Sequence, residues 1–257
     1  MDRIDRVAPT RRPAARARAV MYQRWSHLLF LHWQVPADLL RELLPPGLEL
    51  DTYEDKAYVG LVPFTMSGVR PWWAPPLPWL SRFDEVNVRT YVHVRGRDPG
   101  VWFFSLDAAN PLAVRMARWR FRLPYYHARM KLVEERPASS GGGTDPEITY
   151  RSQRVGVDPR AAFCRLRYQP RGESAPAKPG TIDHFLVERY ILYAFAGSAL
   201  YRGRVHHSAY PLRRAELFSL EENLLAASGI TPPAVAPLVH YASAVRVEIF
   251  PLEPVVP

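Results

Sequence analysis

Lysine is almost missing from this chain: Lys56, Lys131 and Lys178 are the only three, against 31 arginines. Chemistry through an imine needs a lysine amine, so any such reaction has three candidates. Cysteine is scarcer still. The lone Cys164 excludes an internal disulfide and fits a reducing compartment. Its spacing of two from Leu166 and Tyr168 marks it as a small buried hydrophobe. Long apolar runs are lacking too. The longest charge-free stretch, Asn223 to Val245, is broken by Gly229, Pro232, Pro233 and Pro237, which argues against a spanning helix. The start has no signal-peptide order, so a soluble cytoplasmic protein is expected. There is no phosphate loop, dinucleotide-binding glycine pattern or nucleophile elbow, and no cofactor is expected. The histidines make no metal signature: His27 and His32 face opposite sides of a strand, and His206 and His207 diverge.

What is present points to a sheet. The 257 residues are 47% hydrophobic, enough for a sizeable core, and 26 prolines with 14 glycines disfavour a helix bundle. The formal charge of +9 is unevenly placed, because residues 1–20 hold six arginines against Asp2 and Asp5. We expect residues 1–20 to be a disordered basic arm and residues 21–257 to be one domain. That domain is only mildly basic, so nucleic acid is not an expected partner for it.

Trp25–Val35 reads as a buried strand and Ala37–Leu44 as a short helix after Pro36. Ala57–Val69 is strand-like, with an interruption at Pro63. The tryptophan- and proline-rich loop Arg70–Ser81 is expected to pack back onto the domain, since exposed aromatic patches are uncommon. Its alternative is contact with a partner or a membrane surface. Glu85–Arg95 and Val101–Leu106 form a hairpin with its turn at Asp98-Pro99-Gly100. Asn110–Arg122 is a helix with an Asn cap; Leu112, Met116 and Trp119 are its expected inner face, and Arg115, Arg118 and Arg122 share another. Strands follow at Tyr125–Glu135, Ile148–Arg154, Ala161–Tyr168, Arg204–Leu220 and Tyr241–Phe250, with a short helix near Leu220–Ser228. Ser139–Thr144 reads as a flexible loop tip, and Ile182–Tyr193 fits helix or strand.

Strand Glu85–Arg95 alternates. Its polar side carries Glu85, Asn87, Arg89, Tyr91, His93 and Arg95. In a sandwich that side is solvated; in a barrel it lines an interior with room for one ligand. A buried carboxyl beside an arginine there is an acid/base candidate. Tyr125, Tyr126 and Tyr190 are either core aromatics with satisfied hydroxyls or donors to a ligand oxygen.

Several segments in order, RWSHLLFLHWQV (24–35), LLPPGLEL (43–50), YVGLVPF (58–64), EVNVRTYV (85–92), GVWFFSLD (100–107), LPYYHA (123–128), ERYILY (188–193) and HSAYPL (207–212), resemble the YqjF-like family, a domain of unknown function. That family is similar to the acetoacetate decarboxylase-like group. The resemblance implies a mainly β (α+β) fold: an acetoacetate decarboxylase-like β-barrel with a few short peripheral helices and a central ligand cavity. In the decarboxylases a Pro-Lys-Lys segment supplies the imine-forming lysine and a second lysine that lowers its pKa. The corresponding stretch here is Pro124-Tyr125-Tyr126, and a phenol forms no imine. Glu85 resembles the decarboxylase pocket glutamate. We therefore expect Glu85, with His207 second, as acid/base groups, and Asn87, Arg89, Tyr91, Tyr125, Tyr126 and Tyr190 as ligand contacts. The expected function is a small-molecule-binding barrel. It acts as a lyase, isomerase or hydrolase without a Schiff base on a carbonyl- or carboxylate-bearing metabolite, or it is an inert ligand sensor or interaction protein. A Schiff-base decarboxylase or aldolase-like enzyme is the least favoured reading. A small-molecule ligand is the expected partner, a membrane is not, and homo-oligomer formation stays open.

Overall fold

A computed structural model describes residues 18–77, 79–136, 145–158 and 161–255. The arm up to residue 17 and the loop tip at 139–144 lie outside the described residues. Among the described residues, twelve strands and four short helices follow one another. They are β1 (Met21–Val35), α1 (Ala37–Glu42), β2 (Glu49–Leu50), β3 (Ala57–Pro71), β4 (Phe83–Val94), β5 (Arg97–Ala108), α2 (Pro111–Phe121), β6 (Tyr125–Glu135), β7 (Glu147–Arg154), β8 (Phe163–Ala175), α3 (Ile182–Val187), β9 (Ile191–Ala196), β10 (Ala199–His206), β11 (Leu212–Glu222), α4 (Leu224–Ala227) and β12 (Leu238–Pro254).

All twelve strands join one sheet, and its pairings return on themselves. One circuit runs β5-β6-β7-β8-β11-β12-β1-β3-β4 and closes through the β4–β5 pair; a second runs β5-β9-β10-β12-β1-β3-β4 and closes the same way. The two share β12, β1, β3, β4 and β5, and the middle stretches of β1, β3 and β4 are buried on both faces. Near-continuous apolar runs such as LLFL (28–31) and YVGLV (58–62) follow from that. One core, with Phe30, Phe64, Phe185 and Val205, lies within the second circuit. Another, with Leu29, Leu61, Tyr150 and Leu166, lies within the first. No helix among the described residues is long and apolar enough to cross a membrane.

Several local expectations are corrected. The β4–β5 turn is Arg95-Gly96, not Asp98-Pro99-Gly100. Val94 pairs with Arg97, and both turn residues have positive φ (50° and 70°), the geometry that matches strand twist in a two-residue hairpin. Strand β3 runs through Pro63, which pairs with Val86. Ile182–Tyr193 divides into α3 and the start of β9. Helix α2 is rotated from expectation: Val114 is buried and Ala113, Ala117 and Phe121 half-buried, while Leu112, Met116 and Trp119 are exposed. Val114 joins the core with Ala113 and Phe121 packed against it, so the opposite side of the helix faces out. The tryptophan loop does not pack down either; Trp73 is 72% and Trp79 67% exposed.

Candidate functional site

A pocket of about 100 Å³ sits within the second circuit. Strand β4 supplies its polar wall. Period-two alternation turns Glu85, Asn87 and Arg89 to the same side, and all three are buried. The remaining wall is mostly apolar, from residues such as Phe30, Phe64, Phe103 and Leu192.

Two bulges shape this lining. His27 has φ of 52°, and the β1–β3 register shifts between Ser26 and Leu31. An extra residue there reverses the alternation, so Gln23 and Trp25 before it and Leu28 and Phe30 after it all face the pocket. Likewise the β4–β5 register shifts between Val88 and Arg89, where Val88 pairs with Ser105 and Arg89 with Phe103. Phe103 and Leu106 consequently both line the pocket.

At the centre, the Tyr125 hydroxyl donates to Glu85 Oε2 at 2.9 Å. Burial pushes the Glu85 carboxyl up to about 8; the Tyr125 hydrogen bond opposes this and the charge of Asp107 adds to it. Burial also raises the Tyr125 phenol well above its usual range, helped by the neighbouring Glu85. At neutral pH the pair is thus mainly a neutral acid beside a neutral phenol. Arg89 Nη2 donates to the Leu186 carbonyl at 3.2 Å, while its Nε and the Asn87 Oδ1 have no hydrogen-bond partner among the described residues. Those two atoms supply one donor and one acceptor on the polar wall.

The remaining expected residues separate into two groups. Tyr91, His207 and Tyr190 are buried but do not line the pocket. The Tyr91 hydroxyl lies 2.6 Å from His32 Nε2 and donates to the Leu186 carbonyl at 2.6 Å. His207 stacks on Tyr190 at 4.4 Å between ring centroids, and Tyr190 donates to Glu188. Burial lowers His207 to about 4, which keeps it neutral. Tyr126 turns to the opposite sheet face from Tyr125. There the Arg154 guanidinium covers its ring at 3.7 Å and pairs with buried Asp107 at 2.7 Å.

Tyr210 lines the pocket and was not singled out from sequence, although it lies in the HSAYPL segment. Its neighbours place it there: its ring packs against Phe30 at 5.3 Å, and its backbone N–H donates to Glu188 at 2.9 Å. No lysine lines the pocket, and Lys56, Lys131 and Lys178 are all exposed. Among the described residues, no cluster of three or more His, Cys, Asp or Glu side chains is placed to hold a metal ion.

Residues 22–246 match the DUF2071 family, described as an uncharacterized conserved protein. The chain is 39% identical over 233 residues to the uncharacterized protein YqjF of Bacillus subtilis (strain 168), covering 91% of each chain. Among solved structures it is similar to an acetoacetate decarboxylase-like enzyme from Sphingomonas wittichii RW1, with TM-score 0.64, 13% identity and 93% of each chain covered. It is also similar to the enduracididine biosynthesis enzyme MppR complexed with pyruvate, with TM-score 0.63 and 13% identity over 94% of this chain and 92% of that one. A third is acetoacetate decarboxylase from Legionella pneumophila, with TM-score 0.59 and 14% identity over 100% of this chain and 96% of that one. At such identities the likeness is one of fold.

Proposed function

This chain belongs to the DUF2071 family, and we propose that it binds a small carbonyl- or carboxylate-bearing metabolite in the Glu85 pocket without forming a Schiff base. The observation that carries this reading is the buried Glu85 carboxyl, hydrogen-bonded by half-buried Tyr125, in a pocket that no lysine lines. A neutral Glu85 donates its proton to a ligand oxygen, and Tyr125 stabilises the carboxylate that remains after transfer. Arg89 supplies positive charge and a free N–H donor to the same ligand, and Asn87 orients it. The apolar wall favours a ligand with a compact hydrocarbon body.

Catalysis on this ligand would be a lyase, isomerase or hydrolase step with Glu85 as acid/base group. The runner-up reading is an inert sensor, favoured by His207 being stacked on Tyr190 outside the pocket. The structural relatives include one complexed with pyruvate and one named for acetoacetate. A panel of short 2-oxo and 3-oxo acids, pyruvate and acetoacetate among them, is therefore the first to screen, by thermal shift and product analysis. We expect a shift with at least one acid, lost in Arg89→Gln. Product formation abolished by Glu85→Gln supports catalysis; a shift without product supports the sensor. An adduct on a lysine after borohydride trapping sinks the proposal.

A further inference from the structure

We propose that the exposed face formed by the tryptophan loop and helix α2 docks onto a lipid bilayer bearing anionic headgroups. Trp73, Trp79 and Trp119 are exposed by 72%, 67% and 80%, and Leu112 and Met116 are exposed beside them. These two segments are neighbours in space. Asn110 Nδ2 at the α2 cap donates to the Trp79 carbonyl at 3.4 Å. Met116 of α2 and Val69 and Phe83 of the strands flanking the loop line one small pocket of about 60 Å³.

Charge selects the partner. Residues 70–82 and 110–122 contain Arg70, Arg82, Arg115, Arg118, Arg120 and Arg122 and not one aspartate or glutamate. Arg18 adds a guanidinium 3.7 Å from the Trp72 ring centroid. Exposed tryptophan among arginines is the composition of a surface seated at the headgroup level, where indole spans the apolar–polar boundary and arginine meets lipid phosphate. A second copy of this chain is a poorer occupant, because a two-fold contact would bring the same arginines against themselves. The small pocket beside the face shares Met66, Phe121 and Tyr125 with the Glu85 pocket, so the docked face adjoins that pocket.

The test is co-sedimentation of the full chain with phosphatidylcholine vesicles and with vesicles about one-third phosphatidylglycerol, with tryptophan emission read in parallel. We expect binding to the anionic vesicles with a blue shift, weakened on the order of tenfold in neutral vesicles or high salt. Trp73→Ser with Trp119→Ser, and separately Arg115→Gln with Arg120→Gln, should each weaken it on the order of tenfold. Both pairs are exposed, so far-UV circular dichroism should stay unchanged. Absence of binding, or equal binding to neutral vesicles, overturns the proposal. So does a dimer in solution that the tryptophan variant dissolves while vesicles bind neither form.

Discussion

A carboxyl buried against Tyr125 stays protonated well into the neutral range, and that links pocket chemistry to stability. Glu85 is raised from 4.5 to about 8 in the fold. Between those values the folded chain holds a proton that the unfolded chain has released. Stability from this group is therefore complete below about pH 4.5 and lost as pH rises through about 8. Glu85→Gln keeps the burial but removes the titration. The variant should gain on the native chain by up to about 4 kcal/mol between pH 4.5 and 8. Urea unfolding of both proteins at several pH values reads this directly; a constant difference means Glu85 ionises normally in the fold. The polar face of Glu85, Asn87 and Arg89 was legible because alternation is a period the sequence writes openly. His207 lies inside the HSAYPL segment, but membership in a family segment carries no orientation. Whether its ring meets the pocket or stacks on Tyr190 depends on side chains brought together only by folding.

At the scale of elements, the strands were readable and their irregularities were not. The expected strands are found, except that Arg204–Leu220 divides into the end of β10 and β11; the bulge at His27 and the Arg95-Gly96 turn depend on backbone angles that an ordinary His or Arg does not advertise. The orientation of α2 failed for a related reason. Val114, Ala113 and Phe121 meet the core while Leu112, Met116 and Trp119 face out, so the size of the apolar residues did not mark the inner side. Close parallel pairing of β5 with β9 leaves its own mark at Gly100. A Cβ there would stand 2.6 Å from the Ile191 carbonyl oxygen and 2.9 Å from the Tyr193 ring. Backbone cannot give way as a flexible side chain would. Gly100→Ala should therefore cost about 1–3 kcal/mol by prising β9 from β5, measured as a lower midpoint in chemical denaturation. An unchanged midpoint would mean that the pairing is looser than drawn.

For the whole molecule, the shared strands decide how the two cores respond to damage. Because β12, β1, β3, β4 and β5 belong to both circuits, neither core can lose its wall while the other keeps its own. Asp107 and Arg154 tie β5 to β7 by two hydrogen bonds of 3.0 and 2.7 Å, both side chains being buried. Asp107→Ala strands the Arg154 charge in the interior and should cost about 3–5 kcal/mol. That lesion lies on the opposite sheet face from the Glu85 pocket. Cooperativity predicts that the pocket nevertheless melts with the rest: ligand-induced stabilisation, near-ultraviolet and far-ultraviolet circular dichroism should fall in one coincident transition, at a lower temperature than in the native chain. Two separated transitions in Asp107→Ala, with the pocket outlasting the strands around Tyr150 and Leu166, would instead show that the shared wall holds one core without the other.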